Sequence, residues 1–316
     1  MREIKIHEIE NIKIGSAENL DAATGCTVVI CERSAPTGVD VRGGGPASRE
    51  TELLSHQANC GAIHAVLLSG GSAYGLDAAG GVMEYLEGKG IGFPVGNMVV
   101  PLVCQSCIFD LGVGDGKVRP DKEMAKRACE NAEKNNPKQG NVGAGTGATV
   151  GKLLGPDFAM KSGLGIYALQ LGELKVGAVV SVNACGDVID FETGKIIAGL
   201  LDDSVKSFRD SEQTLYKLAE MPAGNTTIGV IVTNGKFTKA QMTKIAQMAQ
   251  DGYSRSIRPV HTTMDGDTVY AMSVGDVESN VDLCGTLAAR VMAAAIRNAV
   301  LSAEAACGLP CAANIK

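Results

Sequence analysis

Short apolar runs alternate with amphipathic stretches along this chain, and glycine clusters separate them. Residues 26–32 (CTVVICE) and 62–69 (AIHAVLLS) are apolar on both parities, the pattern of strands buried on both faces. In 72–90, Leu76, Val82, Met83 and Leu86 fall on one helical face and Gly90 stops the helix. Residues 121–135 read as a polar helix. Residues 174–183 (LKVGAVVSVN) and 187–191 read as a strand pair, as in a hairpin around Cys185 and Gly186. A helix is expected over about 204–220, capped by Ser204, with Val205, Phe208, Leu215 and Leu218 along one side. Pro222 and Gly224 then end it in a turn.

The next strand, TTIGVIVTN, is β-branched and apolar on both parities. Thr238 caps a further helix with Met242, Ile245 and Met248 inward. Residues 268–274 form a strand, and an Ala-rich helix over about 280–306 has side chains small enough for close packing. Alternating strands and helices predict a layered α/β or α+β architecture, with sheets covered by helices.

Composition adds limits. Of 316 residues, 45% are hydrophobic and 20% charged, enough for a sizeable core. With no Trp and 4% aromatic residues, that core is aliphatic. The formal charge of -6 comes without a basic stripe, which argues against a nucleic-acid partner. The opening MREIKIHEIENIKIG lacks the apolar stretch of a secretion signal, and no uncharged apolar run reaches the 18 or so residues of a membrane span. A cytoplasmic protein with no membrane partner is expected. Ten cysteines at irregular spacing then read as buried thiols. Cys104 and Cys107 form a lone CxxC inside an apolar run, which fits packing better than redox or zinc chemistry.

The chemistry is not on the surface of the sequence. GAGTGATVGKL misses the phosphate-loop pattern: three residues, not four, separate Gly147 from Gly151, and Leu153 follows Lys152. GVGDGK at 112–117 has no framing strand and helix. Both loops read as tight turns, and no cofactor is expected. The four histidines (His7, His56, His64, His261) show no metal-ligand spacing, so no metal is expected, and no nucleophile elbow frames a serine. His64 reads as a core residue. One other route activates a hydroxyl. If the chain breaks before Thr226, its own α-amine, with an ordinary pKa of about 7.7–8.0, can act as the base.

Several ordered segments carry a resemblance: GVDVRGGGPASRETELL (38–54), LLSGGSAYGLDAAGGVMEYLEGKGIGFPV (67–95), IFDLGVGDGKVRPD (108–121), GNVGAGTGATVGK (140–152), VGAVVSVNACGDV (176–188), NTTIGVIVTN (225–234) and DGYSRSIRPVHTTMDGDTVYAMS (251–273). Over about residues 10–312 the chain resembles the P1 family of peptidases, the L-aminopeptidase/D-esterase group that includes β-aminopeptidases and nylon-oligomer hydrolases. The resemblance implies a single-domain precursor, 1–316, that cuts itself between Asn225 and Thr226 into an α chain, 1–225, and a β chain, 226–316. It implies a four-layer α/β/β/α sandwich like that of the N-terminal-nucleophile hydrolases, with different connectivity.

Carried onto this sequence, the resemblance makes Thr226 the nucleophile, Asp265 and Asp267 the pair that supports it, Asn183 a donor to the oxyanion, and Lys152 a nearby cation, as in the nylon-hydrolase branch. The chain departs from some aminopeptidase members by having no tyrosine in PLVCQSCIFDL, where they place an oxyanion donor. The activity implied is hydrolysis of amide or ester bonds in short peptides, amino-acid amides or ω-amino-acid oligomers, by a homo-oligomer of αβ units, tetrameric or larger. Two rivals stand beside it: an acyltransferase of the ornithine-acetyltransferase type, and an uncleaved binding protein on the same scaffold.

Overall fold

A computed structural model describes residues 1–218 and 225–315. Two sheets stack face to face. The first has six strands in the order Arg2–Glu3, Leu164–Leu171, Leu174–Asn183, Thr226–Gly235, Thr268–Val277 and Thr37–Val41. All its pairings are antiparallel except that between Thr226–Gly235 and Thr268–Val277. The second has five strands: Lys13–Asn19, Thr24–Ala35, Ile63–Ser69, Val103–Cys107 and Ala47–Arg49. Val29, Val66, Leu68 and Cys104 of the second sheet meet Ile166, Val179, Ile228, Val230 and Tyr270 of the first in one apolar layer. Strands buried on both faces have no solvent side, which is why they read as continuous apolar runs.

Helices cover the outer faces. Helix α1 (Ala79–Gly88) and α2 (Lys122–Ala132) pack on the five-stranded sheet, with Val82, Leu86, Met124, Ala125 and Ala128 against Val28, Ile30 and Leu67. After the short α3 (Ser211–Leu215), α4 (Lys239–Ser256) and α5 (Val281–Leu301) cover the six-stranded sheet. The predicted α/β/β/α order is the one observed. The small residues of α5 allow the expected close approach: a Cβ on Gly165 would lie 1.9 Å from the Ala295 carbonyl oxygen. By length and composition α5 could pass for a membrane span, but 72% of its apolar window is buried inside the protein, so it is a core helix.

The predicted cap at Thr238 is present, in a full capping box with Gln241, and Asp121 caps α2. Three expectations need correction. Residues 174–183 and 187–191 do not form a hairpin: Leu174–Asn183 lies in the six-stranded sheet, while Asp187–Ile189 turns away to pair with Ile196–Ala198 and Ile257–Arg258. Helix is found only over Ser211–Leu215 of the predicted 204–218, and its cap is Asp210. Ser204 instead donates to Asp202, whose carboxylate also takes Ser207 and closes the loop locally. The end of that predicted helix, with Pro222 and Gly224, lies outside the described residues. The last helix stops at Leu301, not 306. His64 is a core residue, its Nδ1 accepting the Leu102 N–H at 3.1 Å. Cys104 and Cys107 are buried free thiols on opposite faces of their strand, so the CxxC is packing.

Candidate active site

Strand register builds the site. In the antiparallel pair, Thr226 stands opposite Asn183; in the parallel pair, Ile228 stands opposite Thr268. A parallel neighbour starts at the same end of the sheet. The residues just before Thr268, Asp265-Gly266-Asp267, therefore arrive beside Thr226. Two distant segments and the strand opening thus converge at one sheet end, as the sequence reading required.

Thr226 is 4% exposed. Its hydroxyl contacts the carbonyl oxygen of Asn225, as donor, and accepts the Gly266 N–H at 3.0 Å. Gly266 has room for nothing larger: a Cβ there would lie 2.8 Å from Thr226 Oγ1. The two carboxylates reach Thr226 indirectly. Asp267 Oδ1 takes the Thr227 N–H at 2.7 Å, while its Oδ2 takes the His261 N–H at 3.1 Å and His261 Nδ1 at 2.9 Å. Asp265 Oδ2 takes the Thr262 N–H at 2.7 Å and the Thr262 hydroxyl at 2.6 Å. Burial, with the charge of Asp267 second, pushes Asp265 up to about 6. Gly43-Gly44-Gly45 backs this turn: Gly45 N–H donates to the Asp265 carbonyl at 2.7 Å, and a Cβ on Gly43 would lie 2.3 Å from that oxygen.

On the other flank, Asn183 is fully buried. Its Oδ1 accepts the Thr149 N–H at 3.1 Å and Lys152 Nζ at 2.8 Å, and its Nδ2 donates to the Phe109 carbonyl at 3.0 Å. Lys152 Nζ also donates to the Asn183 carbonyl at 2.9 Å. The aliphatic stem of Lys152 lines a cleft while its ammonium end is enclosed. Burial pushes that amine down to about 7 against the opposing pull of Cys185, Asp265 and Asp110. The cleft, of about 340 Å³, runs from Lys152 and Thr149 past Phe109, Val113, Pro156 and Leu309. Its described walls are apolar apart from the Lys152 end and Cys307.

Thr226, Asn183, Asp265, Asp267 and Lys152 are therefore at one place. A peptidase family model, Peptidase family S58, matches residues 4–310. The chain belongs to peptidase family S58. It is 38% identical to an uncharacterized aminopeptidase of Mycobacterium leprae over 340 residues, spanning 96% of this chain and 92% of that protein. It is 30% identical to a 6-aminohexanoate-oligomer endohydrolase of Paenarthrobacter ureafaciens over 285 residues, 88% of this chain and 77% of that protein. Among solved structures, the L-aminopeptidase D-Ala-esterase/amidase of Ochrobactrum anthropi, described as a variant of the Ntn hydrolase fold, superposes with a TM-score of 0.71 at 16% identity, covering 96% of this chain and 87% of that one. A Burkholderia β-aminopeptidase gives 0.66 at 19%, covering 94% and 86%. These likenesses show the fold; the family makes this S58 member a hydrolase acting on amide bonds.

Sequence reasoning missed several parts of the S58 site. The Gly266 N–H, the Phe109 carbonyl and the Thr149 N–H are backbone groups, which no residue type advertises. Thr262 had a signal, because Thr-x-x-Asp is a capping spacing. Asp110, buried and held by the Thr24 hydroxyl and the Gly71 N–H at 2.7 Å each, fixes the segment that presents the Phe109 carbonyl to Asn183. Where some aminopeptidase members were expected to place a tyrosine donor, this chain offers Phe109, an acceptor backbone and an apolar ring on the cleft.

Proposed function

We propose that this S58 hydrolase is made as a precursor that cuts itself between Asn225 and Thr226, and that the freed Thr226 is then its nucleophile. One observation carries the reading: the Thr226 hydroxyl lies against the Asn225 carbonyl at the sheet end where Asn183, Lys152, Asp265 and Asp267 converge. In the first step Thr226 Oγ1 adds to the Asn225 carbonyl carbon. The C–N bond breaks, the nitrogen takes the hydroxyl proton, and an ester joins Asn225 to Thr226. Water hydrolyses the ester and leaves a free α-amine on Thr226.

In the second step that amine takes the Oγ1 proton as the oxygen attacks a substrate amide, and returns it to the leaving nitrogen. The carboxamide of Asn183 is fixed by Thr149, Lys152 and Phe109. Its second Nδ2 hydrogen steadies the tetrahedral oxyanion. Water then releases the acyl group. The apolar cleft suits short aliphatic acyl groups, in keeping with relatives named as an aminopeptidase and as an oligomer hydrolase. Short peptides, amino-acid amides and ω-amino-acid oligomers are the proposed substrates, and a homo-oligomer of αβ units is the proposed assembly.

Denaturing mass analysis of active material tests this. Two fragments are expected, the smaller opening at Thr226. One species at the full 32.6 kDa, with activity retained, overturns the reading.

A further inference from the structure

His261 was set aside in the sequence as a poor candidate for catalysis, yet it lies beside the nucleophile's support. It sits in the left-handed region at φ 58, unusual for a residue with a side chain. That conformation turns both its backbone N–H and its Nδ1 onto one oxygen, Asp267 Oδ2, at 3.1 and 2.9 Å. A carboxylate only accepts, so Nδ1 carries the proton. The ring stacks on the buried Tyr253, with centroids 5.9 Å apart and planes 23° apart. Nε2 is buried with no hydrogen-bond partner among the described residues. The imidazole therefore has one polar engagement here, and it is with Asp267.

We propose that His261 is a positioning residue that holds Asp267 on the backbone of the nucleophile strand. The inference rests on the reading of Thr226 as nucleophile. The two acids stand on either side of Gly266 and repel each other when both are charged. Asp267 receives three N–H donors, two of them from His261; Asp265 receives one N–H and one O–H, both from Thr262. Each donor fixes a carboxylate oxygen in place, so the orientation of Asp267 depends on the two contacts from His261. Asp267 Oδ1 then holds the Thr227 N–H, one residue beyond the hydroxyl. The other titratable groups facing the pair are Lys152 and Cys185 across the site and Tyr253 from α4. Arg42 is near only by its backbone, since its guanidinium goes to Asp40 and the Gln247 carbonyl.

Asparagine and glutamine separate this role from simple packing. The Nδ2 of Asn reaches where His Nδ1 was; the Nε2 of Gln reaches where His Nε2 was. In His261→Gln we expect kcat to fall about 10- to 100-fold with KM little changed, the cost of a misplaced catalytic group. His261→Asn should recover at least about tenfold of that loss. If the two variants are equally impaired, His261 is packing and the proposal fails. Thr226→Ala is the separate control: if it keeps activity, the nucleophile reading fails whatever His261 does. Thermal melts of both variants confirm that the compared proteins are folded.

Discussion

The strand Thr226–Gly235 has threonine and asparagine at both ends, and the two ends behave differently. At the far end, Thr233 Oγ1 donates to the Lys175 carbonyl at 2.9 Å and accepts the Gly235 N–H at 3.1 Å. Asn234 accepts the Lys175 N–H at 2.7 Å and donates to the Glu173 carbonyl at 2.9 Å. Neutral backbone groups of the strand itself, of its neighbour and of the turn before that neighbour make these hydrogen bonds. At the near end, Thr226 meets its own preceding carbonyl and a loop N–H, among two buried acids and a buried amine. Residue types are shared; what differs is whether backbone alone closes the hydrogen bonds. Where it does, the polar residues finish a sheet. Where loops bring charge instead, they form a site, because charge out of water costs free energy that structure alone would avoid.

The sharpest way to break this comparison is to remove each hydroxyl. Thr226→Ala should leave the chain whole and lower hydrolysis by about 10⁴-fold or more, as when a nucleophile is deleted. Thr233→Ala should be cleaved and active, and should cost about 1–3 kcal/mol in stability for the buried Lys175 carbonyl and Gly235 N–H left without their partner. Mass analysis, turnover and melting of the two variants decide it. Equal activities would show that the two ends are alike.

A smaller effect comes from the asparagines. Asn183→Ala removes the group that Thr149 and Lys152 hold in place, and kcat should fall about 10²–10³-fold, the usual cost of one oxyanion donor. Asn234→Ala should leave kcat unchanged and cost about 1 kcal/mol. If both variants lose only stability, Asn183 is a structural residue like its far-end counterpart.

How much of this was legible follows the same divide. Strands such as 26–32 and 226–234, and the cap at Thr238, were readable because burial on both faces and capping chemistry are local properties of residue types. The register that sets Asn183 against Thr226 is a long-range property; the resemblance implied only that the two belong to one site. The mistaken hairpin at 185–186 arose because two neighbouring strand segments can enter different sheets, a choice made by packing rather than by the turn. The Ser204 cap failed because Asp202 competes for that serine two residues away. Residues such as Thr226 and Asp265 were found as types; their working partners, Gly266 N–H and Thr262, came from loop geometry.

The smallest effect is a pH slope in stability. Lys161 lies under the near end, fully buried, its Nζ donating to the carbonyls of Ala148 at 2.8 Å, Ser162 at 2.6 Å and Gly145 at 3.3 Å. Burial pushes it down to about 7, from an ordinary 10.5. Between those values the unfolded chain holds a proton that the folded chain has released. Stability from this group therefore rises with pH across about 7 to 10.5, by at most about 1.4 kcal/mol per unit, and is depressed below 7. Lys175, at the far end, donates to the Glu8 carbonyl at 2.6 Å and serves as the comparison. Both changes to Met should be made in Thr226→Ala, which is expected to keep one chain, and followed by urea unfolding at fixed protein concentration from pH 7 to 10. Lys161→Met should flatten the slope, although it leaves three carbonyls without their donor and lowers stability throughout. Lys175→Met is the control for removing a lysine side chain at the other end of the strand. A slope unchanged in Lys161→Met would mean that the buried amine keeps its proton, held by its three carbonyls, and that burial weighs less at this end of the sheet than the comparison requires.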